Sequence, residues 1–338
     1  MWGLGDCVYA RPFVRAAVEK WDVYLKTPWP ELYSDLPVRF VRWDRVYRTQ
    51  QKNTERQPAS LWHEPPKGAR ELKVHYGKPE LLAGSLLKAV ANKFVEVGVL
   101  SNLSPFDLPD MGPSPVVSER PVAVIKAVTL RKEWLGPARN PLPEYVPGIA
   151  KGLYSSGLYE VVVVADTDDE NEWLVGSPPA AHRSFLRGEL LPRQLLALVQ
   201  HAALVVGGVG WNVPVTIALK RPSFVVMGGL GAYNHPNKIT DPRLDLSRIH
   251  FAMPPRLCPC TIMQHSCAKR IPDLWAQLTR FSQRLGHLLP STSPSTASLG
   301  GRKSASATSQ SLPTPPTSTT SSTSTASPGR PIVPLAGP

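Results

Sequence analysis

Hydrophobic and polar residues alternate in blocks along residues 119–229, and the blocks have the lengths of short strands and ten-residue helices. Apolar, largely β-branched runs lie at 122–128, 159–165, 204–206 and 223–227, and stretches with helical spacing lie at 144–156, 192–203 and 212–220. Runs that are apolar at every position are typical of parallel strands covered by helices on both faces. The pattern predicts βαβ units, and therefore a Rossmann-like domain, over residues 119–288.

The first part of the chain shows a less regular pattern of the same kind. Residues 7–21 and 80–95 have helical spacing, 22–26, 38–41 and 72–76 have the composition of strands, and 44–70 is polar and turn-rich. We expect a second Rossmann-like domain over 1–115, with an insertion at about 44–70. A Gly-x-Gly-Asp turn ordinarily follows a strand, so either the first strand is missing here or the true start lies upstream.

The end of the chain has a different composition. Residues 289–338 are almost entirely Ser, Thr, Pro and Ala, and a final helix is predicted just before them at 272–288. Such a stretch cannot bury enough apolar surface to offset the entropy of ordering it. The fold class predicted is α/β, with two Rossmann-like domains and a disordered C-terminal tail.

Composition narrows the class of protein. The 338 residues are 42% hydrophobic and 19% charged, which excludes a wholly disordered chain, and the four cysteines are too few for a disulfide scaffold. No apolar run approaches the roughly 18 residues of a membrane-spanning helix, and the first residues do not resemble a signal peptide. We expect a cytoplasmic protein without a membrane span.

The chain carries a formal net charge of +12, of which the three cations Arg302, Lys303 and Arg330 belong to the predicted tail. The excess in the body of the chain favours an anionic partner, such as nucleic acid, a nucleotide-sugar or a phosphorylated glycan. An arginine-rich solvated surface explains the same excess without any partner, and both interpretations stay open.

Asp6 is the first candidate for chemistry. It follows two glycines at the point where a helix is predicted to begin, so its carboxylate could face a cleft between the two domains. A carboxylate there is suited to act as a general base. The alternative is structural, because Asp is also a favoured residue at a helix N-cap.

Thr129, Arg131 and Lys132 directly follow the first predicted strand of the second domain. A hydroxyl and two cations at the carboxyl end of a parallel strand are suited to hold a diphosphate through charge-assisted hydrogen bonds. A solvated basic loop is the alternative.

Two glycine-rich turns follow later strands of the same domain. Gly208 and Gly210 lie in the first turn, and Gly229 and Gly231 lie in the second, one βα unit later. Free backbone N–H groups in such turns suit a phosphate, whereas glycines also permit close packing of a helix on a sheet. Neither turn is a P-loop, because no Gly-Lys-Ser/Thr follows.

Three of the four cysteines and one histidine fall within ten residues: Cys258, Cys260, His265 and Cys267. Thiolates and an imidazole at these spacings can form a tetrahedral zinc site, and four protein ligands leave no open position for catalysis. The alternatives are unligated thiols in a turn and, less compatible with a reducing compartment, a disulfide.

Several of these motifs together resemble one known family. The Gly5-Asp6 turn followed by Pro12, the Thr129/Lys132 loop and the strand, glycine turn, helix and strand of residues 204–229 resemble heptosyltransferase-like glycosyltransferases of the GT-B fold. The Gly-Gly-Val-Gly-Trp turn and the Cys-x-Cys…His-x-Cys segment resemble a divergent phage-encoded branch of that family. The resemblance covers about residues 1–288.

The resemblance implies a GT-B-like transferase that moves a hexose- or heptose-type sugar from a nucleotide-diphospho-sugar to the hydroxyl of a glycan or other acceptor. It implies Asp6 as the base of an inverting reaction, Thr129 and Lys132 at the diphosphate, and no metal or cofactor required for catalysis. Gly210 corresponds to the glycine of the family's Asp-Ser/Thr-Gly-x-x-His motif. Gly208 stands in place of its Asp, and Val213 or Pro214 in place of its His. The alternative is a catalytically inactive GT-B-like protein that binds a nucleotide or nucleic acid.

Overall fold

The structure, a computed structural model, describes residues 3–44 and 47–286, so the predicted tail at 289–338 lies outside the described residues. The helices are α1 (Leu4–Val18), α2 (Arg48–Arg56), α3 (Lys78–Ala83), α4 (Leu86–Val95), α5 (Tyr145–Ser156), α6 (Pro192–Gln200), α7 (Asn212–Ala218), α8 (Gly231–Asn234), α9 (Pro236–Ile239) and α10 (Leu274–Arg284). The strands are β1 (Tyr24–Lys26), β2 (Arg39–Val41), β3 (Val122–Lys126), β4 (Thr129–Arg131), β5 (Glu160–Val164), β6 (Glu172–Leu174), β7 (Arg183–Phe185), β8 (Leu204–Gly208), β9 (Ser223–Val226) and β10 (Ile249–Ala252).

Six strands of the C-terminal half form one parallel sheet in the order β10-β9-β8-β3-β5-β7. Read from β7, the strands take the chain order 3-2-1-4-5-6, which is the order of the dinucleotide-binding Rossmann sheet. The order reverses between β3 and β8, where Val124 pairs with Val205. Ligands of such sheets bind outside the carboxyl ends of the strands at this reversal.

Both faces of the sheet are buried, because successive side chains of a strand point to opposite faces. Val124 and Val162 belong to a core that continues into α6, α7 and the N-terminal half. Ile125 and Val163 belong to a second core beneath α5 and α10. This double cover is the reason that the strands are apolar at nearly every position.

The predicted α/β class is confirmed, together with the strands and helices expected between residues 119 and 288. The pattern missed β7, whose Arg183 and Ser184 are exposed and polar, and it missed β10 and the antiparallel pair β4–β6. Three- and four-residue strands at a sheet edge carry too few apolar positions to be recognised by periodicity.

The N-terminal half is a smaller α/β unit, whose sheet in the described residues consists of the parallel pair β1–β2. The predicted strand at 72–76 has no regular structure. The predicted helix at 80–95 is divided at Gly84 into α3 and α4, because the hydroxyl of Ser85 caps α4 by accepting a hydrogen bond from Lys88 N–H at 3.2 Å. Pro12 lies in the interior of α1, since this helix begins at Leu4 rather than at residue 7.

Helix α1 is fixed by a buried cation and by a close contact. The Arg11 side chain is 1% exposed and donates to Asp35 Oδ1 at 2.8 Å and to the Leu32 carbonyl at 2.7 Å. At the start of the helix, a Cβ on Gly5 would lie 3.2 Å from Pro214 Cγ of α7. The first turn of α1 is therefore pressed against the C-terminal half. Among the described helices, none has the length and apolar character needed to cross a membrane.

Candidate functional site

A cleft of about 680 Å³ opens outside the carboxyl ends of β3 and β8, between the two halves of the protein. The predicted site residues that line it are Asp6, Thr129, Arg131, Gly208 and Gly210. They come from three distant stretches of sequence. The fold therefore brings them together at the position where a Rossmann sheet binds its ligands.

Asp6 is the third residue of α1, and the N-cap of this helix is Gly3. The Asp6 carboxylate faces the cleft, where the Tyr76 hydroxyl donates to Oδ1 at 2.7 Å. Burial by the cleft walls raises the pKa of this carboxyl above its ordinary value, although the Tyr76 hydrogen bond and the nearby Arg139 charge oppose the shift. A raised pKa brings a carboxylate closer to the range in which it works as a general base.

Thr129 and Arg131 both contact one buried carboxylate. Thr129 Oγ1 donates to Glu172 Oε1 at 2.6 Å, and Arg131 Nε lies 2.8 Å from Glu172 Oε2. Lys132 is exposed and is not among the residues that line the cleft. Of the three predicted diphosphate ligands, two therefore lie at the cleft but are paired with Glu172, and the third lies outside it.

Gly229 and Gly231 lie against the cysteine-rich loop rather than among the residues that line the cleft. Gly229 N–H donates to the Ala138 carbonyl at 2.7 Å, and Gly231 N–H donates to the Cys258 carbonyl at 2.7 Å. A Cβ on Gly229 would collide with Cys267 Sγ. The contacts of this turn are therefore those of close packing, which was the alternative to phosphate binding for these glycines.

Three polar groups that the sequence analysis missed also line the cleft: Lys126, Arg139 and Asn234. In the described part of the chain, Arg139 Nε and Asn234 Nδ2 are buried without a hydrogen-bond partner. Burial, together with the charges of Arg139 and Arg131, lowers the pKa of Lys126 to about 8. In the sequence, Lys126 is visible only as the one charged residue within the apolar run 122–128, a local pattern that does not indicate a place in a cleft.

The predicted insertion forms one wall of the cleft and joins the two halves. Arg48 of α2 lies 3.0 Å from Asp166, 2.8 Å from Asp168 and 3.3 Å from Glu172. Lys52, one turn later, lies 3.2 Å from Asp166. These ion pairs fix α2 to the loop that follows β5 and to the first residue of β6 in the C-terminal half.

The four predicted metal ligands lie together, with all ligand atoms within 4.8 Å of one another. Cys260 Sγ lies 3.4 Å from Cys267 Sγ, and His265 Nδ1 lies 3.5 Å from Cys258 Sγ and 3.3 Å from Cys267 Sγ. A tetrahedral zinc with Zn–S bonds of about 2.3 Å has ligand–ligand edges of about 3.8 Å. A small outward movement of the ligand atoms gives these distances, so the cluster could bind a metal such as zinc.

The loop that carries these ligands, residues 258–267, braces a neighbouring segment of the cleft wall. Ala138 N–H donates to the Met263 carbonyl at 2.9 Å. Just beyond the loop, Lys269 Nζ donates to the Pro137 carbonyl at 2.6 Å. The next residue in the braced segment is Arg139, so the loop positions a cation of the cleft.

A scan against protein-family models finds no match, and a search of curated proteins finds none either. Among solved structures, the chain is similar to the dodecameric, iron-containing heptosyltransferase TibC in complex with ADP-D-β-D-heptose, at 15% identity and a TM-score of 0.49. The match covers 78% of this chain and 65% of that one. A second TibC structure, from enterotoxigenic E. coli, matches at 15% identity and a TM-score of 0.49, over 76% of this chain and 61% of that one.

The chain is also similar to E. coli ADP-heptose LPS heptosyltransferase II, at 14% identity and a TM-score of 0.45, over 75% of this chain and 88% of that one. It spans less than two thirds of both TibC chains. These three structures are heptosyltransferases, and matches of lower TM-score include a putative UDP-N-acetylglucosamine 2-epimerase from Listeria monocytogenes. The phage-encoded branch stays a prediction.

Proposed function

We propose that this protein is an inverting glycosyltransferase that moves a sugar from a nucleotide-diphospho-sugar to an acceptor hydroxyl in the cleft. The observation that carries the proposal is the convergence of Asp6, Thr129 and Gly210 on one cleft at the reversal of strand order. In this arrangement the donor binds to the C-terminal half and the acceptor to the N-terminal half.

The reaction needs a base on the acceptor side. The Asp6 carboxylate takes the proton of the acceptor hydroxyl while the hydroxyl oxygen attacks the anomeric carbon of the donor. The bond between that carbon and the diphosphate oxygen breaks, its electron pair leaves with the nucleoside diphosphate, and the anomeric configuration inverts. Tyr76 holds the carboxylate in place through its 2.7 Å hydrogen bond.

The leaving group needs positive charge on the donor side. Arg131 and Arg139 line the same cleft as Asp6, with Lys126 at the end of β3. Fixed cations stabilise the negative charge that develops on a departing diphosphate, because they need no reorganisation as the bond breaks. The residues present supply this charge without a metal, and no cofactor is part of the proposal.

The proposal is tested by thermal shift and turnover with ADP-, UDP-, GDP- and CMP-sugars. We expect one class to raise the melting temperature and Asp6→Asn to lower the rate of sugar transfer or donor hydrolysis by about 10² to 10⁴-fold while donor binding is kept. Stabilisation by none of these donors, together with DNA binding that weakens steeply with salt, would instead support a nucleotide- or nucleic-acid-binding protein without turnover.

We also propose that residues 258–267 hold a structural zinc ion. Three thiolates and one imidazole complete a tetrahedral shell, so the metal would fix the loop and leave no position for substrate. Metal analysis of the purified protein should give about one equivalent of zinc, and this amount should fall with Cys258→Ser. Trypsin should cut at the flanking Arg256, Lys269 and Arg270 much faster after chelation. Less than about half an equivalent, unchanged in Cys258→Ser, would remove the site.

A further inference from the structure

Lys126 occupies the position in the sheet where a ligand is expected. It ends β3, the strand at which the order reverses, and its side chain lines the cleft. Every other residue of β3 is buried and apolar. In this setting the lysine ammonium group loses hydration. Burial of an unpaired ammonium group is unfavourable, so an anion or another hydrogen-bond acceptor must replace the lost water.

The glycines of the neighbouring turn leave space for this side chain. A Cβ on Gly207 would lie 2.9 Å from Lys126 Cβ, and a Cβ on Gly210 would lie 2.9 Å from Lys126 Cε and 3.0 Å from Nζ. No larger residue fits at Gly210 unless the lysine moves. The glycine-rich turn therefore forms a slot that directs the ammonium group into the cleft.

The charged groups around Lys126 give it no anionic partner. Arg139 and Arg131 repel its charge, and Glu172, the nearby carboxylate, already contacts Thr129, Arg131 and Arg48. In the described residues, Lys126 Nζ has no hydrogen bond or ion pair.

Other unpaired donors lie around the same space. Asn234 is 6% exposed and lines the cleft with an unpaired Nδ2, and Arg139 Nε is also buried and unpaired. Native proteins rarely leave several buried polar groups unsatisfied in one place, and a ligand that accepts hydrogen bonds would satisfy the donors.

We propose that Lys126 binds the diphosphate of the donor, a role that the sequence motif assigns to Lys132, and that Gly210 positions it. The inference rests on the proposed function for the identity of the donor, but the binding of a diphosphate group can be tested apart from it. The surplus of positive charge and of unpaired N–H groups matches the four or more oxygens of a diphosphate better than it matches a neutral ligand.

The experiment measures binding of inorganic pyrophosphate to the full chain by calorimetry near neutral pH. Lys126→Met should weaken binding by about 10- to 100-fold, the effect of losing one hydrogen bond to a charged group. Lys151→Met, which removes the same charge from an exposed position on α5, should leave the dissociation constant within about twofold, and so should Lys132→Met. The proposal is overturned if Lys126→Met binds like the unmodified chain, or if Lys132→Met alone loses affinity.

A second measurement uses no variant and so does not depend on whether Lys126→Met folds. Trace labelling with acetic anhydride, followed by mass spectrometry, should show that pyrophosphate protects Lys126 and leaves Lys151 unprotected. Equal acetylation of Lys126 with and without pyrophosphate would overturn the proposal. If pyrophosphate binds through Lys126 but no sugar donor is turned over, the proposed transferase function is wrong and the proposed role of Lys126 stands. If Lys126→Met transfers sugar with an unchanged KM for the donor, the proposed role of Lys126 is wrong and the transferase function stands.

Discussion

In the proposed reaction, the Asp6 carboxylate and the Tyr76 hydroxyl that binds it set the acid limb of the pH–rate profile. The carboxylate of Asp6 has a pKa raised by burial, and the hydrogen bond from Tyr76 holds that pKa lower than burial alone would. A base is active when ionised, so the rate should rise with pH through a pKa above the ordinary Asp value of 3.8.

Tyr76→Phe should move this acid limb to higher pH, because it removes a hydrogen bond that favours the ionised carboxylate. At a pH on the limb, the rate should fall by about 10-fold, corresponding to a charge-assisted bond of about 1.5 kcal/mol. The measurement is a pH–rate profile of sugar transfer. Tyr154→Phe, at an exposed tyrosine of α5, is the matched control, and a limb that stays in place in Tyr76→Phe would show that the hydroxyl does not act on the base.

Gly210 should tolerate no side chain if its space belongs to Lys126. Gly210→Ala places a methyl group against the Cε and Nζ of that lysine, so the ammonium group must move and pyrophosphate affinity should fall by about 10-fold. Gly148→Ala, on α5 with nothing within 4 Å of the added methyl, should leave affinity unchanged. Equal affinities for the two variants would show that the turn does not position Lys126.

The difference between Asp6 and Lys126 shows which site residues a sequence reveals. Asp6 belongs to a short motif with its glycines, and the four metal ligands lie within ten residues, so both were predicted from local spacing. Lys126 stands inside a strand pattern, and its importance depends on Glu172 being occupied by other partners. Such pairing is decided by tertiary contacts and leaves no local signal.

Helix α2 is the element that joins the two halves across the cleft. Arg48 is 23% exposed at its side chain and meets three carboxylates, including Glu172, whose side chain is 5% exposed. The segment was predicted only as an insertion, because its polar sequence has no apolar stripe. Its docking depends on polar contacts instead: ion pairs to the C-terminal half, and buried hydrogen bonds of Gln50 and Asn53 within the N-terminal half.

Arg48→Ala should therefore lower the free energy of unfolding by about 1–3 kcal/mol, since it leaves the buried Glu172 carboxylate and two partly exposed carboxylates with fewer partners. Arg56→Ala, at the exposed end of the same helix, should change it by less than about 0.5 kcal/mol. Urea unfolding at low and high salt measures both. The Arg48→Ala effect should shrink with salt, because partly exposed ion pairs are screened. If Arg48→Ala lowers the free energy of unfolding no more than Arg56→Ala does, contacts other than the Arg48 ion pairs hold α2 in place.

At the scale of the molecule, the two halves share one hydrophobic core. This core includes Phe13 and Leu32 of the N-terminal half and Val205 and Val213 of the C-terminal half. Residues 1–115 were predicted as a domain of their own, but their two-stranded sheet buries little surface by itself. A two-stranded sheet is marginal in water without other elements packed on it.

We expect residues 1–115, expressed alone, to lack a cooperative thermal transition, whereas the full chain should unfold in one transition that two probes report alike. Circular dichroism and tryptophan fluorescence are sufficient for the comparison. Residues 119–286, with the six-stranded sheet, serve as the control fragment and should keep more structure. A cooperative melt for the short fragment would show that the halves are independent domains.

The contact between Gly5 and Pro214 limits how the protein can open to admit substrates. In the turn of α1 that carries the Asp6 carboxylate, a Cβ on Gly5 would lie 3.2 Å from Pro214 Cγ of α7, so the two halves cannot separate or slide at that point without loss of packing. Together with the ion pairs of α2 and the shared hydrophobic core, this contact fixes the Asp6 carboxylate relative to the carboxyl ends of β3 and β8.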